Sequence, residues 1–372
     1  MAEPTRNVLL LAGHLGEHDD GWPIGALLER LARRGIAAQV LCVARAAGAR
    51  ADYRVVEDPG LGHRWWRPLA VRRLRFGEGL KRPDLIHAIH REMGPAALAI
   101  AEHWQIPYLL TIQEFLPSRG RLRLSRRWCR RLIATSRDLA LDLARSLDVP
   151  AHFLSVVNQG VMDVGGGART RKAGQVPVIG AAGALEPDSG FATFLNAARR
   201  VLDAGVDAEF MIAGAGEGEV DLRRRAKRLR IADRVTFTTH SLVGSRFWSV
   251  LDLYCQTTLV PTVGRTLAIA QSFGVPSIAS DVEGLRALVA HDETGLRVTP
   301  GDSTALARTI LALLADPERA RSLGRRGRES VRRDFDPEAE AHGLATVYRR
   351  VLGPSAPRPA PVARGAEVIS PA

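Results

Sequence analysis

Four glycine-rich turns are the places where this sequence could do chemistry. They read AGHLGEHDDGWPIG after the first apolar run, GAAGALEPDSG and AGAGEGE in the second half, and SDVEGL further on. Such turns lie at the carboxyl ends of strands in an open α/β sheet, where backbone N–H groups and helix N-termini face negative charge. This favours binding of an anionic ligand by N–H groups around Gly183, Gly216 and Gly284. Each turn alone is equally well explained by a glycine that simply ends a strand.

Titratable side chains follow two of the apolar runs. His87, His90 and Glu92 lie at or just past the end of one run, and Glu114 follows the next. They are candidates for a ligand contact, although a solvated side chain is the common alternative at such positions. The three cysteines are far apart and form no ligand spacing, which predicts no zinc or other metal site, no disulfide framework and a reducing compartment.

The elements that must position these residues follow from hydrophobic periodicity. Short apolar runs alternate with amphipathic stretches of helix length, which is typical of parallel sheets with crossover helices. A segment without period near 162–175 reads as a linker, so the chain predicts two doubly wound domains in the α/β class. Helical patterns follow at 316–334 and after Pro337, and the tail 353–372 is predicted to be disordered. The predicted runs are Asn7 to Leu11, Ala38 to Val43, Leu85 to Ala88, Tyr108 to Ile112, Leu132 to Ala134, Val178 to Ala182, Phe210 to Ala213, Val235 to Thr238, Leu251 to Cys255, Pro276 to Ala279 and Leu296 to Val298.

Composition excludes several classes of protein. With 372 residues, 46% hydrophobic and 25% charged, the chain is neither disordered throughout nor disulfide-stapled. The net charge of +12 rests on arginine, because 49 of the 52 basic residues are Arg, and such a bias alone does not indicate nucleic-acid binding. The apolar run at 8–12 is too short for a signal-peptide core, which predicts a cytoplasmic protein, with peripheral contact to the inner face of the membrane as an addition.

Several strings resemble the family 4 retaining glycosyltransferases. The match is best over 176–302, where FGVPSIASDVEGLRALVAHDETGLRVTPGD is similar to a long family segment. PDLIHAIH and IPYLLTIQEF in the first half are similar to PDVVHAH and IPVVVTLHDF of the family. The resemblance covers about residues 7–351 and implies the GT-B fold, in which two Rossmann-like domains face each other across a cleft.

The resemblance also implies roles and boundaries. It predicts an acceptor-side domain over 1–166, a nucleotide-sugar domain over 167–335, and a helix over 336–352 that returns to the first domain. The reaction would transfer a sugar from a nucleoside diphosphate to an acceptor, sugar or lipid-linked, with retention. It needs no resident cofactor, because the nucleotide sugar is a co-substrate, and a metal-free site must neutralise the diphosphate with Arg, Lys and oriented N–H groups.

The cations and carboxylates of the family's donor site have changed in this chain. Ala184 and Ser189 stand where the family has an Arg and a Lys for the diphosphate. Pro261 and Ile269 stand where it has two glutamates eight positions apart, and neither side chain accepts a hydrogen bond from a sugar hydroxyl.

Further positions also depart from the family's donor site in ways that disfavour donor binding. Gln113 replaces the family histidine beside the donor sugar, and with Glu114 and His90 it makes up the candidate catalytic set. Glu283 occupies a family glycine position, where its carboxylate would repel a pyrophosphate, and Ala287 replaces another glutamate. The candidate donor-binding residues that remain are Gly21, Gly183, Gly216, Gly264, Arg265, Glu283 and Gly284. Arg265 is a candidate displaced cation, although a chance Arg is the alternative in so Arg-rich a chain.

Two basic segments carry interleaved apolar residues. HRWWRPLAVRRLRF, residues 63–76, has five arginines, and SRGRLRLSRRWCRR, residues 118–131, has seven. Basic amphipathic segments with aromatics predict contact with an anionic membrane surface, and the alternative is two solvated Arg-rich helices. Nucleic acid is disfavoured because no recognition motif accompanies the charge.

Two functions from different classes therefore stay open at this point. One is a glycosyltransferase with an altered donor site that uses N–H groups and relocated arginines. The other is a catalytically silent glycosyltransferase-like subunit that binds a sugar or a protein partner and uses the fold as a scaffold.

Overall fold

The computed structural model of the chain describes residues 6–15, 24–45, 53, 55–74, 80–116, 122, 124–162, 174–238 and 245–353. Within these residues the chain forms two parallel β-sheets, each with helices on both faces. The predicted α/β architecture of two Rossmann-like domains is confirmed. Both faces of each sheet are covered, which explains why the strands read as continuous apolar runs rather than as alternating patterns.

The first sheet has seven parallel strands in the order β3-β2-β1-β4-β5-β6-β7. Its strands are β1 (Arg6–Leu15), β2 (Ile36–Arg45), β3 (Val55–Glu57), β4 (Leu85–Ala88), β5 (Tyr108–Ile112), β6 (Cys129–Ala134) and β7 (Leu154–Val156). Its helices are α1 (Ile24–Ala32), α2 (Arg67–Arg73), α3 (Gly94–Trp104) and α4 (Arg137–Leu147), with short 3-10 turns at Pro59–Leu61, Arg91–Met93 and Ala151–Phe153.

The second sheet has six parallel strands in the order β10-β9-β8-β11-β12-β13. Its strands are β8 (Val178–Ala182), β9 (Glu209–Ala213), β10 (Val235–Thr238), β11 (Leu253–Gln256), β12 (Ser277–Ser280) and β13 (Leu296–Val298). Its helices are α5 (Phe191–Asp203), α6 (Glu219–Arg228), α7 (Ser245–Val250), α8 (Arg265–Ser272), α9 (Leu285–Leu288), α10 (Ser303–Ala315) and α11 (Pro317–Asp334), with 3-10 turns at Pro187–Ser189 and Ala232–Arg234.

Successive side chains of each strand feed two separate cores. In β1, Leu9 and Leu11 pack with α2, α3 and α4 on one face, whereas Val8 and Leu10 pack with α1 on the other. The second sheet is divided in the same way, with α5, α6 and α10 on one face and α7, α8 and α9 on the other. This alternation follows from the period of two along a strand, and it fixes which helices cover which face.

The last helix, α12 (Pro337–Leu352), packs on the first sheet although it follows the second domain in sequence. The Asp336 side chain accepts from the N–H of Glu338, and Pro337 occupies the first turn, where its missing N–H costs nothing. Ala341, Leu344 and Tyr348 bury their side chains against β1 and β4.

In both sheets the strand order reverses next to the first strand of the domain. The chain runs outward from β8 to β10 and then returns to β11 on the other side of β8. A crevice opens at the carboxyl ends of the two central strands in such sheets, and ligands bind there.

Some predictions need correction or lie outside the described residues. The second Arg-rich segment is not a helix in its described part, because residues 126–128 form a turn and β6 begins at Cys129. Gly21, residues 163–173 of the linker and the tail from 354 onward lie outside the described residues, as do 75–76, 118–121 and 123 of the basic segments. None of the helices in the described ranges combines the length and the apolar character needed to cross a membrane.

Candidate active site in the cleft between the two sheets

A cleft of about 1000 Å³ lies between the two domains. The second domain lines it with the turn after β8, the segment after β11 and the first turn of α8. The first domain contributes residues 114–116, just after β5, and Asp142 of α4. The cleft thus opens where the strand order of the second sheet reverses, which is the place that the fold favours for a ligand.

The turn after β8 carries both positions that lack the family's cations. Ala184 and Ser189 each line the cleft, and the Ser189 hydroxyl donates to the carbonyl oxygen of Ala184 over 2.6 Å. Gly190 ends the turn with φ of +73°, and the Thr257 backbone lies where a Cβ would stand, so a side chain at position 190 would clash. The turn therefore keeps its backbone shape and reaches the cleft, but it brings no positive charge there.

The first turn of α8 brings positive potential instead. Gly264 precedes the helix with φ of +70°, and Arg265 and Thr266 line the cleft. The N-terminal N–H groups of the helix and the Arg265 guanidinium both favour a negatively charged group.

A hydrogen-bonded side-chain cluster supports this end of the cleft. Gln256, at the end of β11, accepts from the hydroxyl of Tyr254 over 2.6 Å and from that of Thr266 over 2.7 Å. Both bonds go to its oxygen, so its orientation is fixed with the amide nitrogen as the remaining donor.

Carboxylates dominate the charge of the described lining. Five of them face the cleft, against the single guanidinium of Arg265, and Glu114 is paired with Arg91 over 2.8 Å. The net charge of +12 is therefore a poor guide to the local field, which is set by nearby groups. The carboxylates are Glu114, Asp142, Glu186, Asp188 and Glu283.

The structure brings some of the predicted residues together and separates others. Glu114, Gly183, Arg265 and Glu283 line the cleft with Ala184, Ser189 and Pro261. The described lining does not include His90, Gln113, Gly216, Gly264, Gly284 or Ile269.

Each of three separated residues has a clear alternative environment. Ile269 is 6% exposed and belongs to the core between α8 and its sheet, so the second family glutamate position is not part of the cleft surface here. The Nδ1 atom of His90 accepts from the N–H of Gly13 over 3.3 Å. Gln113 donates to the carbonyl of Ile89 over 2.9 Å, which ties the ends of β4 and β5 together.

His87 lies behind the cleft, in the interior of the first domain. Its Nδ1 lies 2.7 Å from the hydroxyl of Tyr348 in α12, and its Nε2 lies 2.7 Å from the hydroxyl of Thr111 in β5. Burial, and to a lesser extent the nearby His90, lowers the pKa of His87 to about 3. The imidazole is therefore neutral at physiological pH and has a structural environment rather than a ligand contact.

Neither a reactive thiol nor a metal cluster is found in the described part of the chain. Cys255 borders the cleft, but burial raises the pKa of its thiol, so the thiolate is scarce at neutral pH. The described residues also contain no group of three or more His, Cys, Asp or Glu side chains that could hold a metal ion.

Sequence reasoning missed several residues of the lining. Gln256, Thr257 and Thr258 follow directly after a predicted strand, so a systematic look at strand ends would have found them. Asp142 gives no such signal, because it sits in the middle of a helix and its position depends on how the two domains meet.

Two family models match consecutive parts of the chain. The model described as Glycosyltransferase Family 4 matches residues 24–163, and the model described as Glycosyl transferases group 1 matches residues 168–330. The two matches divide the chain between its two sheets.

Two curated relatives at 31–32% identity match shorter stretches. The chain is 32% identical over 147 residues to N-acetyl-alpha-D-glucosaminyl L-malate synthase of Bacillus anthracis, covering 40% of this chain and 39% of that protein. It is 31% identical over 181 residues to 2-deoxystreptamine glucosyltransferase of Streptomyces kanamyceticus, covering 48% and 46%. The aligned stretch is therefore less than half the length of each of these relatives.

Solved structures match over nearly the full length. Sucrose-phosphate synthase from Thermosynechococcus elongatus aligns with a TM-score of 0.74 at 20% identity, covering 93% of this chain and 99% of that one. Anabaena HepE, solved in complex with UDP and glucose, aligns with a TM-score of 0.72 at 18% identity, covering 92% and 98%. These likenesses establish the fold, and with the two family matches they identify the chain as a member of glycosyltransferase family 4 with the GT-B architecture.

Proposed function

We propose that this chain is a retaining glycosyltransferase that takes a sugar from a nucleoside diphosphate donor bound on the second domain. The observation that carries the proposal is the cleft at the switch point of the second sheet in a chain of family 4, lined by the first turn of α8 and by Arg265.

Charge neutralisation in this site differs from the family pattern. As the glycosidic bond breaks, negative charge grows on the departing diphosphate and needs donors already in place. The groups available are the N–H groups at the start of α8 and the Arg265 guanidinium. In the turn after Gly183, the N–H groups of Leu185 and Glu186 already donate to backbone carbonyls. Each missing cation would weaken transition-state stabilisation by about 3 kcal/mol if it resembles a lost oxyanion donor. We therefore expect a slow enzyme.

Hydroxyl recognition falls to the other polar groups of the lining. Carboxylates accept hydrogen bonds from hydroxyls, and Glu186 and Asp188 lie in the turn beside the donor end. The Gln256 amide nitrogen supplies a donor in the same lining. Glu114 lies on the first-domain side, where the acceptor would enter, and its carboxylate is paired with the Arg91 guanidinium over 2.8 Å.

Nucleotide binding is the most direct test. UDP is the first probe, because HepE was solved with it, and GDP, ADP and dTDP follow. A nucleotide that binds only the folded state raises the melting temperature, by an amount equivalent to about 2.7 kcal/mol at a concentration 100-fold above its Kd. Arg265→Ala should abolish the shift, whereas Arg224→Ala on the exposed side of α6 should not. If no nucleotide stabilises the protein at millimolar concentration, the catalytically silent alternative replaces this proposal.

Restoring the missing cations is a gain-of-function test of the same site. Ala184→Arg with Ser189→Lys places two charges on residues that line the cleft, so we expect tighter UDP binding and faster turnover. Ile269 should stay unchanged, because a glutamate there would enter an apolar core. Unchanged UDP affinity in the double variant would mean that the diphosphate does not lie against this turn.

We also propose that the first domain binds an anionic membrane surface through the start of α2. Trp65 and Trp66 are 74% and 57% exposed, and Leu69 is 43% exposed, so three large apolar side chains lie together at the surface. The guanidinium of Arg64 stacks over the Trp65 ring at 4.8 Å, and Arg72 and Arg73 end the helix. Indole rings flanked by arginines suit the boundary between acyl chains and phosphate headgroups.

The other basic segment lies on the same side of the first sheet. Leu124 and Trp128 pack against the core that also holds Ala70 and Val71 of α2. Charges from both segments would then add at one surface, and a lipid-linked acceptor could be reached from there. Each Arg near an anionic surface contributes about 1 kcal/mol.

Vesicle flotation separates this proposal from the enzymatic one. Binding to vesicles of phosphatidylglycerol and phosphatidylcholine should be strong and should weaken with salt, whereas binding to phosphatidylcholine alone should be weak and insensitive to salt. The double variant Trp65→Ser with Trp66→Ser should lose binding without losing UDP affinity. Leu141→Ser is the matched control, because Leu141 is 50% exposed on α4 of the same domain. Equal binding to neutral and anionic vesicles would overturn the proposal.

A further inference from the structure

Two turns of the second domain touch the first domain at the edge of the cleft. They are residues 262–263, before α8, and residues 283–284, before α9. The N–H of Thr262 donates to the carbonyl of Glu283 over 3.2 Å, so the two turns form one unit. Thr262, Val263 and Glu283 line the cleft, and a movement of this unit would therefore change the width of the cleft.

Helix α4 presents complementary groups to this unit. Asp138 and Arg145 are seven positions apart, which places them on one face of the helix. Asp138 accepts from the N–H of Gly284 over 3.2 Å, and Arg145 lies 3.7 Å from the Glu283 carboxylate. The Asp138 carboxylate thus pairs with a backbone N–H, and the Arg145 guanidinium pairs with a carboxylate. The charges on this face of α4 are therefore complementary to those of the two turns.

Apolar contacts join the same surfaces. Val263 packs against the core of the first domain although it belongs to the second. Gly284 has φ of +85°, and a Cβ there would lie 3.2 Å from Cε2 of Phe115 and would clash with the Thr262 backbone. Glycine at this position therefore permits the close approach of both domains.

These contacts indicate a different role for Glu283 from the one that its sequence position suggests. Sequence comparison alone treats its carboxylate as a group that repels a pyrophosphate. In the structure the same carboxylate faces the Arg145 guanidinium across the domain boundary, and the Gly284 N–H, a candidate donor for a phosphate, already binds Asp138.

We propose that α4 and Phe115 form a latch that holds the 262–263 and 283–284 turns and so sets the width of the cleft, with Asp138 and Arg145 as positioning residues. The inference rests on the contacts between the domains and not on the proposed function. It can therefore hold in a protein that binds no nucleotide, and it can fail in an active enzyme.

The test measures the distance between the domains in the full chain. Spin labels on cysteines introduced at His103 and Arg224 report one position in α3 and one in α6, both exposed. The native cysteines Cys42, Cys129 and Cys255 are buried, so they compete little for the label. Pulsed electron paramagnetic resonance then gives the distribution of distances without any ligand.

A charge exchange separates the latch from a general effect on folding. Arg145→Glu should lengthen and broaden the distribution, with about a threefold fall in the ratio of latched to open molecules, as expected for an exposed ion pair. The double variant Arg145→Glu with Glu283→Arg should restore the narrow distribution. Arg137→Glu makes the same charge change on an exposed residue of the same helix and should leave it unchanged. If Arg145→Glu leaves the distance distribution as unchanged as Arg137→Glu does, the latch is refuted. It is also refuted if the double variant does not restore the narrow distribution.

Asp138 provides an independent second test. Asp138→Leu removes the acceptor for the Gly284 N–H and should lower the ratio by about tenfold, because hydrogen bonds to charged groups are the stronger class. Asp138→Asn keeps an acceptor oxygen at the same position and should recover most of the latched population. Equal distributions for the Leu and Asn variants would show that the hydrogen bond does not hold the domains.

Discussion

Two interfaces join parts of this chain that are distant in sequence, and they are built in opposite ways. Helix α12 meets the first domain through buried groups: Tyr348 is fully buried against His87, and the Glu340 carboxylate accepts from the N–H of Gly160 over 2.9 Å. At the latch the side chains of Arg145 and Glu283 are 71% and 43% exposed. Buried polar groups are costly to separate, because each partner would be left unsatisfied, whereas exposed groups exchange easily with water. The first interface therefore fixes α12 to the first domain, and the second can open.

The largest effect is expected from Tyr348 in the fixed interface. Tyr348→Ala removes a fully buried aromatic ring and the partner of His87, so we expect the free energy of unfolding to fall by about 4 kcal/mol. Urea denaturation followed by circular dichroism measures this change. His342→Ala, on the exposed side of α12, is the control and should change it by less than about 0.5 kcal/mol. A small effect of the Tyr348 variant would mean that α12 is not fixed to the first domain.

The next effect is a dependence on pH that only the fixed interface should show. His87 has a pKa of about 3 in the folded protein and an ordinary value near 6.5 in the unfolded chain. Below about pH 6.5 the unfolded state binds a proton that the folded state does not, so stability is lost as pH falls. The slope rises from half its full value at pH 6.5 to about 1.4 kcal/mol per pH unit well below it, so the loss between pH 6.5 and 4.5 is about 2.3 kcal/mol.

The control for the pH dependence is a variant without the imidazole. His87→Leu should be less stable at pH 7, because Thr111 and Tyr348 lose their partner, but its stability should change less between pH 6.5 and 4.5. Chemical denaturation at a series of pH values measures both slopes. Equal slopes in the two proteins would mean that His87 is protonated in the folded state as readily as in the unfolded chain.

The fold was predictable from the sequence because its signal is local. Every predicted apolar run lies at a strand of the structure, and five of the eleven agree at both ends. The two strands that were missed are β3 and β7, the edge strands of the first sheet, with three residues each. Edge strands are short and partly exposed, so they lack the continuous apolar run that marks a central strand.

The cleft was predictable only in part because its signal is not local. The glycine turn at 183–190 was found, since glycine marks a strand end in the sequence itself. The roles of Asp142 and Glu283 depend on how the domains face each other, and no pattern within either domain reports that geometry. The family alignment placed Ile269 in the site by position, whereas packing places it in the core.

A smaller effect than the pH dependence is expected from the hydroxyl of Tyr348 alone. Tyr348→Phe keeps the ring but leaves Nδ1 of His87 without its partner 2.7 Å away, so we expect a loss of about 1–2 kcal/mol in the free energy of unfolding. Urea denaturation at pH 7 gives the value. The comparison with Tyr348→Ala divides the interface into its packing and its hydrogen bond. If both variants lose the same free energy, the hydrogen bond alone accounts for the stability of the interface.

The smallest effect on stability is expected at the latch. Arg145→Ala should change the free energy of unfolding by less than about 0.5 kcal/mol, because the exposed pair exchanges an ion contact for water. The same variant should still lengthen the distance between labels at 103 and 224, since the two domains can separate without either one unfolding. Urea denaturation and the distance measurement on the same sample therefore give opposite answers for a latch and for a structural residue. A loss of more than about 2 kcal/mol in unfolding free energy would place Arg145 in an interface as fixed as that of α12.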